Sequence, residues 1–143
     1  MPTQSEHLYK ATNNKIVADE MSRKTPTSIG WAITILFYSA LHYVEAYNAK
    51  FNYHFHGHTQ LINDMGRNPV FSTVFDNYQE LSSLSWNARY RPRRYGDTEL
   101  KEAIESHAAI CALVCTKLGI RNPDQAKTSR AIVVPPSSSQ NSN

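Results

Sequence analysis

Apolar positions along this chain recur at helical spacing and nowhere alternate long enough to make a strand. Ile29, Ile33, Leu36, Phe37, Ala40, Val44 and Tyr47 mark one face, and Trp31, Ile35, Tyr38 and His42 mark a second beside it. A helix apolar over most of its girth is enclosed by neighbours, so this segment is predicted as the central helix of a bundle. Thr27 or Ser28 serves as its N-cap, and it runs to about Phe51. Before it, the weaker spacing of Leu8, Ala11, Ile16, Ala18 and Met21 predicts a helix from Ser5 to about Arg23. Ser5 and Glu6 suit its start, and Thr25, preceding Pro26, is biased out of it.

After the His-rich stretch NYHFHGH, a short helical turn around Leu61, Ile62 and Met65 is predicted to end at Gly66. Asn68 and Pro69 read as the N-cap and first residue of the third long helix. Its stripe is Phe71, Val74, Phe75, Tyr78, Leu81 and Leu84, running into Trp86. The loop ARYRPRRYGD leads to a fourth, capped by Asp97 or Thr98, with Leu100, Ile104, His107, Cys111, Val114 and Leu118 inward and Gly119 at its end. The predicted fold is all-α: a four-helix up-and-down bundle with a short extra helix. Residues 1–120 form this domain, and residues 121–143, closing in Ser, Asn and Pro, read as a flexible, disordered tail.

Composition narrows the function classes without naming one. A length of 143 residues is enough for a single core. Five glycines, with no GxxxxGK or Rossmann pattern among them, argue against a glycine-rich phosphate loop. Net charge of +3 is mild, so a nucleic-acid role has to rest on a local patch. Cys111 and Cys115 lie one helical turn apart, which suits buried, reduced thiols better than a disulfide framework. The N-terminal stretch has no apolar core of the signal-peptide kind. The uncharged run from Thr25 to Val44 is too polar for a good membrane span, so the expectation is a cytoplasmic protein without a membrane partner.

Candidate chemistry concentrates in Arg89, Tyr90, Arg91, Pro92, Arg93, Arg94 and Tyr95. Arg offers a fixed two-point fork to phosphate, and Tyr a flat face on which a base stacks. These residues are predicted to bind RNA or a nucleotide phosphate, unless the arginines pair with Glu80, Asp97 or Glu99 in a solvated loop. His107 is either a hydrogen-bonded core histidine or a general base acting with the loop arginines. His54, His56 and His58 alternate, and His42 and Glu45 sit a turn apart. This gives a metal-binding alternative, although no CxxC, HExxH or paired ExxH spacing accompanies it.

The stretches GWAITILFYSALHYVEAY, GHTQLINDM and YQELSSLSWNARYRPRRY, covering about Ile29 to Gly119 with the last helix, resemble the HEPN superfamily of small helical bundles. The resemblance implies a homodimer, for which Trp31, Tyr38 and Tyr43 offer aromatic surface. It also implies RNA or nucleotide binding, or metal-independent endoribonuclease activity without a cofactor. The setting it implies is a toxin–antitoxin or phage-defence system, with an antitoxin or nucleotidyltransferase-like partner. Active members carry an Arg a few residues before a His near the start of the last helix. Here His107 has Lys101 six positions before it, while Arg93 and Arg94 lie 14 and 13 positions back. Lys101 keeps the charge but lacks the planar fork, so a catalytic pair would be His107 with Lys101 or with the loop arginines.

Overall fold

The computed structural model describes residues 1–125, and all regular structure in them is helical. In chain order they are α1 (Gln4–Ser22), a 3-10 turn (Pro26–Ser28), α2 (Ile29–Ala49), α3 (His58–Arg67), a second 3-10 turn (Pro69–Phe71), α4 (Phe75–Tyr90) and α5 (Asp97–Leu118). The α2 helix is the centre, packing against α1, α4 and α5, while α4 also lies on α5. Thirteen of its 21 residues are buried, which is what two adjoining apolar faces require. Pro26–Ala49 is long and apolar enough to cross a membrane by length and composition, and 61% of its apolar window is buried against the other helices.

The helix ends follow local chemistry, with some differences from the spacing-based boundaries. Thr3 caps α1: its hydroxyl accepts from the Glu6 N–H at 3.2 Å, and the Glu6 carboxylate accepts from the Thr3 N–H at 2.7 Å. Asn68 does cap, with its side chain accepting from the Val70 N–H at 3.0 Å, but it opens the 3-10 turn and α4 starts only at Phe75. The α3 helix is longer than a turn and runs through Gly66 to Arg67. Glu99 reaches back to accept from the Gly96 N–H at 3.0 Å at the start of α5. Gly119 ends that helix in the left-handed region, at φ 67°, as glycine readily does.

The inward stripe of α5 keeps His107, Cys111 and Val114 of the predicted set and differs at its edges. Ile104 is exposed, and Ala103, His107, Ile110, Cys111 and Val114 face the core. Both sets satisfy helical spacing, and only the packing against α2 and α4 selects between them. Tyr43, suggested as dimer surface, is buried, with its ring edge-on to His107 at 6.0 Å. The thiols of Cys111 and Cys115 are free, buried and 4.0 Å apart. Past α5, Asn122 is buried and its side chain accepts from the Asp124 N–H at 2.9 Å, so the start of the segment read as tail packs on the domain. The rest of that segment lies outside the described residues.

One polar contact spans three helices inside this apolar setting. The Ser39 hydroxyl on α2 donates to the Ala11 carbonyl on α1 at 2.7 Å, and lies 2.8 Å from His107 Nε2 on α5. With the Ser39 proton committed to Ala11, His107 donates through Nε2–H, and its Nδ1 is left as a buried acceptor with no partner among the described residues.

Candidate nucleic-acid interface

The Arg/Tyr stretch is a helix end followed by a loop. Arg89 and Tyr90 form the last residues of α4, and Arg91 to Gly96 connect to α5. This divides six residues that look alike in sequence. Arg89 is held inward: its Nη1 donates to the Tyr38 hydroxyl at 2.7 Å, and the guanidinium lies over the rings of Tyr38 and Tyr90. Arg91 covers the indole of Trp86 at 5.5 Å. Arg93, whose side chain is 62% exposed, pairs with the largely covered Glu99 at 3.0 Å and lies over Tyr95 at 5.0 Å. A pair with one partner this exposed contributes little to stability. Arg94 is exposed, with no carboxylate partner among the described residues.

Tyr95 does not act as predicted. Its ring is 8% exposed and belongs to the core, covered by Arg93, so no base can stack on it. Tyr90 is exposed, with the Arg89 guanidinium over its ring and the Trp86 indole 5.1 Å away, and it does not line the arginine cleft. Trp31, expected on a face of the central helix and as dimer surface, is 60% exposed and shares a cleft with three of the arginines. Trp31, Arg89, Arg93, Arg94 and the edge of Tyr95 line one cleft of about 540 Å³, together with Thr25, Thr27 and Gly30 at the start of α2. The start of α2 is already satisfied by the 3-10 turn before it: the Ser28 N–H donates to the Thr25 carbonyl at 3.1 Å and the Ile29 N–H to the Pro26 carbonyl. Guanidiniums, an indole and hydroxyls together suit an anion attached to a flat ring.

Neither candidate catalytic residue shares that cleft. His107 is 1% exposed and burial pushes its imidazole down to about 3, so it is neutral at any physiological pH. It lines a separate small cavity of about 110 Å³ with Lys15, Tyr43, Cys111 and Asp124. Within one chain, no residue is common to the linings of the two cavities. Lys101 is exposed on α5 and lines neither.

The histidines form a different grouping from the one spacing suggested. His58 begins α3 and packs near Phe37 and Tyr38. His42 does sit near Glu45, with Nδ1 to Oε2 at 3.6 Å, but a third member comes from α1. His7 Nδ1 lies 3.1 Å from His42 Nδ1 and 3.3 Å from Glu45 Oε2. Burial pushes His42 down to about 4 and lowers His7, while it raises the Glu45 carboxyl. No spacing rule could have paired residues 7 and 42, because they meet only when α1 lies along α2.

Comparison with protein-family models, with curated proteins and with solved structures found no match to this chain.

Proposed function

We propose that this protein is a HEPN-like helical module that binds a nucleotide phosphate, free or within single-stranded RNA, in the cleft between the start of α2 and the end of α4. The observation that carries this reading is the presence of three arginines and an exposed indole in one cleft of about 540 Å³. Arg94 and Arg93 take the phosphate, Trp31 stacks on the base, and Arg89, fixed by Tyr38, holds the cleft's inner edge. Among the described residues the cleft is lined by neither imidazole nor carboxylate, so the groups at hand bind and orient rather than move a proton. On this reading the module works as a homodimer within a toxin–antitoxin or phage-defence system.

The test is the salt dependence of binding to a short single-stranded RNA and to a mononucleotide. Each phosphate contact contributes a slope of about −0.7 in log affinity against log salt for single strands. Replacing Arg93 and Arg94 by Gln is expected to flatten the slope by about 1.4 and to weaken binding of both ligands. Binding of RNA and nucleotide by R93Q/R94Q as tight as by the parent would remove the cleft from consideration.

A further inference from the structure

The cluster on the other part of α2 has no role in nucleotide binding, and its geometry is unusual for a set of hydrogen bonds. Two Nδ1 atoms and one carboxylate oxygen converge, with separations of 3.1, 3.3 and 3.6 Å. A proton on one of these atoms satisfies one contact and leaves the remaining lone pairs facing each other. A cation at the centre satisfies all three at once. Bonds of about 2.0–2.1 Å in a tetrahedron place neighbouring ligand atoms about 3.3 Å apart, which is the mean spacing found here. Imidazole and carboxylate together suit a borderline divalent ion better than a hard one.

We propose that His7, His42 and Glu45 form a binding site for a divalent transition-metal ion, with Zn²⁺ as the fitting ion. His7 Nδ1, His42 Nδ1 and Glu45 Oε2 are its three protein ligands, and the ion ties α1 to α2. The site is supported by more than the three distances. His7 is buried, and His42 and Glu45 are each about three-quarters covered, so the ligands are held by packing rather than waving in solvent. An entry path exists as well: His7 and Glu45 also line a cavity of about 220 Å³ that reaches His54 and His56. Three protein ligands with a fourth position open to a cavity is an arrangement in which zinc keeps a water. The half-buried His54 and the exposed His56 line the cavity and are not among the three ligands.

The experiment uses the full chain purified without a His-tag, stripped with a chelator and titrated with Zn²⁺ and with Co²⁺. One equivalent is expected to bind, with the visible absorption of tetrahedral Co²⁺ and a rise in thermal midpoint, since metal binds the folded state preferentially. Even the outer-shell partners of metal ligands are worth roughly 10- to 100-fold in affinity, so losing a ligand is expected to exceed about 100-fold. His42→Ala and the near-isosteric Glu45→Gln should each show that loss, and the second keeps the side-chain volume if the first folds poorly. A variant with His54, His56 and His58 all replaced by Ala should keep one equivalent. Absence of stoichiometric binding to the parent overturns the proposal. So does unchanged binding in Glu45→Gln, or its loss in the triple loop variant.

Discussion

His107 and the arginines at the end of α4 are the residues on which catalysis and phosphate binding were expected to rest, and the fold treats them in opposite ways. His107 is enclosed among α1, α2 and α5, with a hydroxyl as its partner and its charged form disfavoured by burial. Arg89, Arg93 and Arg94 stand at a surface cleft, the first two over tyrosine rings and Arg93 also in one ion pair, while Arg91 lies on Trp86 outside it. Desolvation is what separates them. A guanidinium keeps its charge wherever it sits and is used best near water, whereas an imidazole loses its charge once water is removed. The same side chain that in a wet cleft would be an acid–base catalyst is, in this core, a neutral hydrogen-bonding spacer.

That contrast is broken most sharply at His107. Replacing it by Ala opens a cavity and removes the Ser39 partner, and the expected loss is about 2–4 kcal/mol in urea unfolding with an unchanged m-value. Its titration gives a second readout. An unfolded His takes up a proton below about 6.5, while the folded one does so only near 3, so stability is complete above pH 6.5 and falls as the pH drops below it. The slope from this residue approaches about 1.4 kcal/mol per pH unit, and His107→Gln should remove that share of it. A slope between pH 7 and pH 5 that is the same in His107→Gln as in the parent would mean that His107 is hydrated and charged in the folded protein.

The aromatic pair at the cleft sharpens the comparison at a smaller scale. Trp31→Ala should cost roughly 1–3 kcal/mol of nucleotide or RNA binding by titration, with little change in salt slope or in thermal midpoint. Tyr95→Ala should do the reverse, lowering the midpoint because its ring is part of the core. The smallest effect is expected at Lys101. It is exposed and distant from both cavities' linings, so Lys101→Ala should change stability by less than about 0.5 kcal/mol and leave binding unchanged.

Much of the architecture was legible because it is written at short range. The two apolar faces of Ile29–Ala49, Gly119 as a helix stop and the buried cysteines all follow from spacing within a few residues. The capping box of Thr3 and Glu6 was equally present in the spacing, although Ser5 was preferred as the start. What spacing could not supply is rotation and distance. On α5, Ile104 is exposed while Ala103 and Ile110 are buried, a choice that only the neighbouring helices make. The cleft joins Trp31 to arginines some sixty positions later, and the cation cluster joins His7 to His42, through helix packing alone. Tyr95 misled because Tyr has both a stacking face and a core-filling body, and sequence does not say which is in use.

The Ser39 hydroxyl has one more consequence, and it concerns alignment along the helix axes. Apolar ridges tolerate sliding, since one methyl group replaces another with little change in energy. A hydroxyl that gives its proton to Ala11 and receives one from His107 tolerates none: a slip of one residue is about 1.5 Å along a helix and breaks both bonds. Three otherwise greasy cylinders are therefore locked at a single height by one oxygen atom, and amide protons near Ala11, Ser39 and His107 should exchange together, as one unit that opens only when the whole bundle does.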